Sequence, residues 1–347
     1  MLFLLKGENI EMKIKKQTGK KALLICICCL LCVGICFSCI SWFYYDRSIM
    51  ASLAEMYMIA VDRDDIYEQG PGYVKNLRAR ATENLQDYEI PSSVSMDVSV
   101  YDKHEHGMQT FYVNEETFSD TIIVYIPGGG YLNNPLKYHW RLINNVTQQT
   151  NCPVIVPIYL KVPNYTCEES IAKMLEFYED LATRDGVEHI IFMGDSSGGG
   201  MALAMAQMLR DDYPELTQPE DLFLIVPWLD ITMETEGIEE IAEYDPMLGL
   251  YGIKDIGRLW AGDKDHRDPM VSPIYGTFEN LGRITLFTGT KDMLYPDIEK
   301  FDKILTEQGI EHTYIVEENL DHPYPLFPTP EAKDAQQLMI DIINATY

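Results

Sequence analysis

Residues 190 to 208 read IIFMGDSSGGGMALAMAQM, an apolar run that ends in Gly194-Asp195-Ser196-Ser197-Gly198-Gly199-Gly200 and passes into a helix-like pattern. Few arrangements place four glycines and two serines where a buried strand turns into a helix. Glycine loses more conformational freedom on folding than any other residue, so the four need a structural reason. A phosphate-cradling turn would carry Lys-Ser or Lys-Thr after its glycines, and Met201-Ala202 stands there instead. The pattern that fits is Gly-x-Ser-x-Gly. It is a sharp turn that lifts a serine hydroxyl above the sheet end and leaves no room for side chains two positions either side. Gly194 and Gly198 flank Ser196 at that spacing. Ser197 is excluded as the central serine, because Asp195 occupies the place of its first glycine.

The rest of the body alternates strands and helices. Helical apolar spacing occurs twice in residues 47 to 90, followed by strand-like runs at 94–102, 109–114 and 121–127. Helix 137–150, strand 153–159, helix 168–184, strand 189–195 and helix 198–211 come next. Strand 221–228 leads into an irregular acidic stretch, and strand 284–290, helix 296–308, strand 312–318 and helix 331–345 complete the pattern. Nearly continuous apolar strands imply helices on both sheet faces. Such alternation predicts an α/β fold with a doubly wound, mostly parallel sheet, whose site lies at the carboxyl ends of the strands.

The N-terminus reads as a separate unit. Residues 22 to 45 carry no charge, and a bilayer-spanning helix needs about 20 residues. Lys13, Lys15, Lys16, Lys20 and Lys21 precede the run, and Trp42, Phe43, Tyr44 and Tyr45 close it. Basic residues before and aromatic residues after predict a cytoplasmic basic tail (1–21), a transmembrane anchor (22–45) and an extracytoplasmic body. The alternative is a secreted protein whose signal peptide is cleaved, but bulky aromatics stand where small cleavage-site residues belong. Six of the eight cysteines lie in the apolar run. Cys152 and Cys167 flank a predicted strand, too far apart for a disulfide.

The formal charge is −27; the first 21 residues contribute +4, which leaves −31 on the remainder. Such a body repels nucleic acid and anionic lipid, so neither is an expected partner. Its bland reading is a solvated acidic surface.

Serine is a weak nucleophile without a general base, and that base needs an orienting carboxylate. Among the seven histidines, His104 and His106 lie in a polar hairpin. His139 and His189 suit ordinary packing or surface roles, His266 lies in the acidic stretch, and His312 opens the last strand at its wrong end. His322 follows that strand in the loop Asn319-Leu320-Asp321-His322-Pro323-Tyr324, at the carboxyl end, and is the candidate base. Asp292 follows strand 284–290 and is the candidate carboxylate, with Asp297 as the nearby alternative and helix N-capping as its plainer role. Strand 121–127 ends in Gly128-Gly129-Gly130-Tyr131, where backbone N–H groups can converge without side chains. With the N–H of Ser197, this loop is a candidate oxyanion hole.

Taken together, YIPGGGY, GDSSGGG, PWLD, VSPIYG, GTKDMLYPD and DHPYPLF resemble the hormone-sensitive-lipase-like branch of the α/β-hydrolase esterases (the α/β-hydrolase fold-3 type) over residues 90 to 347. The order Ser196, Asp292, His322 is that of the α/β-hydrolases. The resemblance implies those three as catalytic triad and Gly129, Gly130 and Ser197 as oxyanion donors. It also implies a helical cap built from residues 46–90 and an insert at about 231–270 of a catalytic domain spanning 91–347. Two departures stand out. Pro127 replaces a histidine that braces the glycine loop, and Tyr159-Leu160-Lys161-Val162-Pro163 replaces Tyr-Arg-Leu-Ala-Pro. Asp195 reads as structural.

The sequence therefore predicts a membrane-anchored serine carboxylesterase for small, neutral, short-acyl esters, working through an acyl-enzyme with no metal or organic cofactor. Tyr131 and Trp228 are candidates for lining the substrate pocket, with core packing an equal reading of Trp228. The rival classes are a non-catalytic receptor or adhesion module, which typically lacks the histidine, and an amidase or peptidase. A lipase for long chains at the membrane surface is a further rival, favoured by the anchor and disfavoured by the acidic body.

Overall fold

The computed structural model describes residues 26–61, 70–117 and 119–347. The expected basic tail and the first residues of the apolar run lie outside them.

Eight strands form one sheet in the order β1-β2-β4-β3-β5-β6-β7-β8. They are β1 (Val100–Glu105), β2 (Met108–Val113), β3 (Thr121–Ile126), β4 (Val154–Ile158), β5 (His189–Asp195), β6 (Pro219–Ile225), β7 (Arg283–Gly289) and β8 (His312–Glu317). β2 pairs antiparallel with both β1 and β4, and all other pairings are parallel. Every residue of β3 is buried, as are Ile190–Asp195 of β5, which is why these strands read as unbroken apolar runs.

The helices are α1 (Cys26–Tyr44), α2 (Ile49–Val61), α3 (Pro71–Glu83), α4 (Lys137–Thr150), α5 (Cys167–Ala182), α6 (Ser197–Asp212), α7 (Ile238–Ala242), α8 (Leu250–Ala261), α9 (Tyr295–Glu307) and α10 (Pro330–Thr346). α1 is apolar and long enough to cross a membrane, and it lies almost wholly outside the packed body. α7 and α8 occupy the acidic stretch. α3 touches α8 through Tyr73, whose hydroxyl donates to Asp255 at 2.6 Å and whose ring meets Tyr251 edge-on. Cys152 and Cys167 are both buried free thiols.

One predicted strand is shorter than its pattern. Pairing begins at Val100, not at residue 94, although Val94, Met96 and Val98 do pack on the core. The Asp97 N–H is taken by Asn144 Oδ1 at 2.8 Å, so a side chain holds this segment where a ladder would have done. The alternation therefore recorded burial without pairing. At the other end β1 runs on to Glu105, because His106 and Gly107 both adopt positive φ and turn the chain tightly into β2. β6 stops at Ile225, where Val226 takes a φ of 47° ahead of Pro227.

Phe223 lies in the middle of β6 with no exposure. Phe223→Ala is expected to cost about 3–5 kcal/mol of stability, read by denaturant unfolding, because the cavity cannot collapse between paired strands.

Candidate functional site

The Ser196 turn is built by backbone packing on backbone. A Cβ on Gly194 would sit 2.5 Å from the Gly198 carbonyl oxygen, and one on Gly198 would sit 2.0 Å from that of Ile126. Ser196 itself is held at φ 52°, ψ −123°, a conformation that costs a non-glycine residue about 1–3 kcal/mol. Its N–H donates to the Ile225 carbonyl at 2.9 Å, and its own carbonyl accepts from Trp228 N–H at 2.8 Å. These bonds fasten the turn to the end of β6.

His322 and Asp292 reach the same point from the ends of β8 and β7. Asp292 Oδ2 lies 2.6 Å from His322 Nδ1, and His322 Nε2 lies 3.0 Å from Ser196 Oγ. With the carboxylate ionised, Nδ1–H is the donor, which leaves Nε2 as acceptor for the serine proton. The second Asp292 oxygen accepts the Leu294 N–H at 2.8 Å, which fixes the carboxylate plane. All three side chains are almost completely buried. Burial alone would lower the proton affinity of His322, but the Asp292 carboxylate and its hydrogen bond, then Asp245 and Asp195, outweigh this and raise it above the ordinary 6.5. Asp297, the alternative carboxylate, is also buried; burial pushes it up to about 7, and its contacts run to Thr235 and the Asp230 side of the fold.

The glycine loop after β3 lies against the Ser196 turn, with Gly128 on Asp195 and Tyr131 on Ser197. Gly129 has a φ of 141° and Gly130 a φ of 61°. No hydrogen bond among the described residues uses the N–H of Gly129 or Gly130, and Ser197 is the first residue of α6, where N–H groups have no acceptor within the helix.

Asp195, read from the sequence as structural, carries a support together with His139, whose part in it sequence reasoning missed. Asp195 Oδ1 accepts from Gly128 N–H at 2.9 Å and from the Tyr125 hydroxyl at 2.6 Å. Its other oxygen lies 3.2 Å from His139 Nε2. Since Leu136 N–H donates to His139 Nδ1 at 2.8 Å, the imidazole proton sits on Nε2 and points at Asp195. Burial opposes ionisation of Asp195; His139, Tyr125 and Gly128 overcome it and hold the group below its ordinary 3.8. Ser197 Oγ accepts from Tyr131 N–H at 3.2 Å, and the Tyr159 hydroxyl donates to the Pro127 carbonyl at 3.0 Å. The loop that lacks its usual histidine is thus braced at Pro127, Gly128 and Tyr131. The one available signal was that Asp195 lies inside the turn at a strand end, where a carboxylate must find donors.

Tyr131 and Trp228, the candidates for lining the substrate pocket, pack among core aromatics, which was an equal reading of Trp228. Both are fully buried. Tyr131 stacks on Trp260 at 4.0 Å and on Trp228 at 5.4 Å, and Trp228 Nε1 donates to the Asp230 carbonyl at 3.0 Å. Large aromatics next to three glycines fill the space that the glycines leave, so they join α8 of the acidic stretch to the core. An apolar cavity of about 350 Å³ is lined by Leu53 and Tyr57 of α2, Leu136, Met247, and Pro323 and Phe327 of the His322 loop, but by none of Ser196, Asp292 and His322.

Asp245, in the link between α7 and α8, was also missed. Its carboxylate accepts from Met293 N–H at 2.9 Å and from Met247 and Leu248 N–H groups. Burial, and then the Asp292 charge, push its proton affinity up. Among the described residues, Asp120, Glu188 and His189 form a cluster with metal-ligand spacing. It is at the opposite end of the strands from Ser196, with two exposed acids and His189 paired to Glu220 at 2.7 Å.

A family described as alpha/beta hydrolase fold matches residues 123–326, more than half of the chain. An esterase of Acinetobacter venetianus is 26% identical over 234 residues, covering 66% of this chain and 76% of that protein. A solved structure from Staphylococcus aureus, of proposed esterase activity, superposes with a TM-score of 0.76 at 27% identity, over 81% of this chain and 95% of that one. A hormone-sensitive lipase from a metagenome library has the same fold, with a TM-score of 0.71 at 19% identity over 86% of this chain.

Gly198→Ala must move the Ile126 carbonyl, which is fixed in the sheet. A loss of about 1–3 kcal/mol is expected in denaturant unfolding.

Proposed function

The chain belongs to the α/β-hydrolase fold family, and from that premise we propose that it is a serine carboxylic-ester hydrolase in which Ser196 is the nucleophile. The observation that carries this reading is the unbroken line of hydrogen bonds from Asp292 through His322 to Ser196. Ser196 Oγ attacks the ester carbonyl while His322 Nε2 takes its proton. Asp292 stabilises the imidazolium that forms. The N–H groups of Gly129, Gly130 and Ser197 bind the oxyanion of the tetrahedral intermediate. His322 then returns the proton to the leaving alcohol. In the second half, water attacks the acyl-enzyme with His322 as base, and the acid leaves. No step calls on a metal or organic cofactor.

The substrate we propose is a small, neutral, short-acyl ester. The apolar cavity against the His322 loop supports an uncharged acyl or alcohol group there, and the strongly acidic body disfavours anionic ones. We divide the chain into a basic tail (1–21), an anchor (22–45), N-terminal cap helices (46–90) and a catalytic domain (91–347) with its cap insert at about 231–270. The Tyr73 contacts between α3 and α8 support a cap of two parts. An α1 anchored in a bilayer, with lysines on the cytoplasmic side, would hold the catalytic domain outside the cytoplasm.

Two measurements test this reading. A fluorophosphonate probe should label the wild-type chain and not Ser196→Ala, and the same change should lower kcat on p-nitrophenyl esters by at least about 10³-fold. Labelling that persists in Ser196→Ala rejects the assignment. The second is a pH profile. Only neutral His322 accepts the serine proton, and its proton affinity is raised, so kcat/KM should fall as pH drops through a midpoint above 6.5. Asp245→Asn removes a charge that favours the imidazolium and should move that midpoint down. A midpoint that stays fixed would show that Asp245 does not act on His322.

A further inference from the structure

The segment between α1 and α2 enters the body as a buried ion cluster. Arg47 is buried, and its guanidinium makes three different hydrogen bonds. Nε donates to Ser52 Oγ at 3.0 Å, Nη1 to the Asn319 carbonyl at 2.7 Å, and Nη2 to Glu55. Nη1 also lies 3.6 Å from Asp321 Oδ2. Lys291 pairs with the same Glu55 and lies 3.7 Å from Asp321 Oδ1. Two cations therefore face two carboxyl groups, those of Glu55 and Asp321.

Their positions in the chain give the cluster its meaning. Lys291 immediately precedes Asp292, and Asp321 immediately precedes His322. The two loops are laced to each other by Lys291 N–H to the Leu320 carbonyl at 3.2 Å and Asn319 N–H to Thr290 Oγ1 at 2.9 Å. Arg47 joins that lacing from 272 residues away. The segment is pinned a second time by Ser48, whose N–H and hydroxyl donate to the two oxygens of Glu331 at 2.5 and 2.9 Å. A guanidinium suits this place because its donors are spread over three nitrogens of a planar fork and reach three separate acceptors, whereas an ammonium's three donors all leave one nitrogen. The charges hold each other ionised in part. Burial would raise Glu55, but Lys291 and Arg47 pull it below its ordinary 4.5, whereas Asp321, with burial dominant, is pushed up to about 7.

We propose that Arg47, through Asn319 and the Glu55–Lys291–Asp321 cluster, is a positioning residue for the Asp292 and His322 loops, so that the short segment following the apolar helix completes the geometry of the site. This rests on the serine-hydrolase reading of Ser196. Arg47 touches no reacting atom. Its effect is on where the imidazole sits relative to Ser196 Oγ, and displacement of a reacting group by about 1 Å can cost about 10²-fold in rate.

The test uses the full chain and p-nitrophenyl ester hydrolysis, with rates expressed per folded molecule from near-UV circular dichroism. Arg47→Met with Glu55→Gln leaves the cluster's net charge unchanged while removing the tie to Asn319. The expected result is a kcat lower by about ten- to a hundredfold with KM within about twofold, because orientation is lost and ground-state binding is not. Arg47→Lys should recover part of that loss. An unchanged kcat in the folded double variant overturns the proposal, and so does a change confined to KM. If the double variant does not fold, Arg47→Lys decides: a wild-type kcat per folded molecule overturns the proposal, and a reduced kcat at unchanged KM supports it. A wild-type chain inert toward both the esters and the fluorophosphonate probe overturns the hydrolase reading itself, and this inference falls with it.

Discussion

The closeness of backbone to backbone at the Ser196 turn is the constraint on which the rest of the structure depends. Gly200 shows it as clearly as its neighbours, since a Cβ there would lie 2.1 Å from the Trp228 carbonyl oxygen. α6 can start this close to β3 and β6 only when its first turn has almost no side chains. That closeness holds a serine in a strained conformation at the rim of the sheet, and the sheet's parallel order delivers the loops after β7 and β8 to the same rim. The strain is local and the burial around it is extensive, so the fold can maintain a conformation the residue would not adopt alone.

Much of this was legible in the sequence. Strand β5 and helix α4 fall on the predicted residues, because each is bounded by polar or turn-forming positions and carries a clean apolar pattern. The positions of Ser196, Asp292 and His322 were legible because each lies a few residues or less past the carboxyl end of a strand, where such sheets place chemistry. What was not legible depends on pairs far apart in the chain. His139 reads as a helix-start histidine until Asp195, 56 residues on, is seen to accept a hydrogen bond from its Nε2–H. Nothing in the local sequence around Arg47 points to Asn319, whose carbonyl accepts from it 272 residues on. The pattern at 94–98 misled for a different reason: period-two burial needs only one apolar face, not a paired strand.

Two carboxylates near the imidazole take different roles because their surroundings differ. Asp292 bonds directly to Nδ1 and orients the ring. Asp245 is satisfied instead by the backbone N–H groups of Met293, Met247 and Leu248. Asp245 belongs to the link between α7 and α8, and Arg47 to the link between α1 and α2. The proposed cap and the proposed anchor therefore both reach the His322 environment through polar contacts, in addition to the apolar wall that α2 gives the cavity. An account of this protein as a hydrolase domain merely tethered to an apolar helix would leave those contacts unexplained.

The central claim is that Ser196 becomes covalently acylated during turnover. Rapid acid quenching of the chain with a p-nitrophenyl ester, followed by peptide mass mapping, tests it directly. The account predicts the acyl mass on the peptide containing Ser196, formed in step with a burst of nitrophenol. An active chain that shows no such adduct, or carries the acyl group on another side chain, would contradict it.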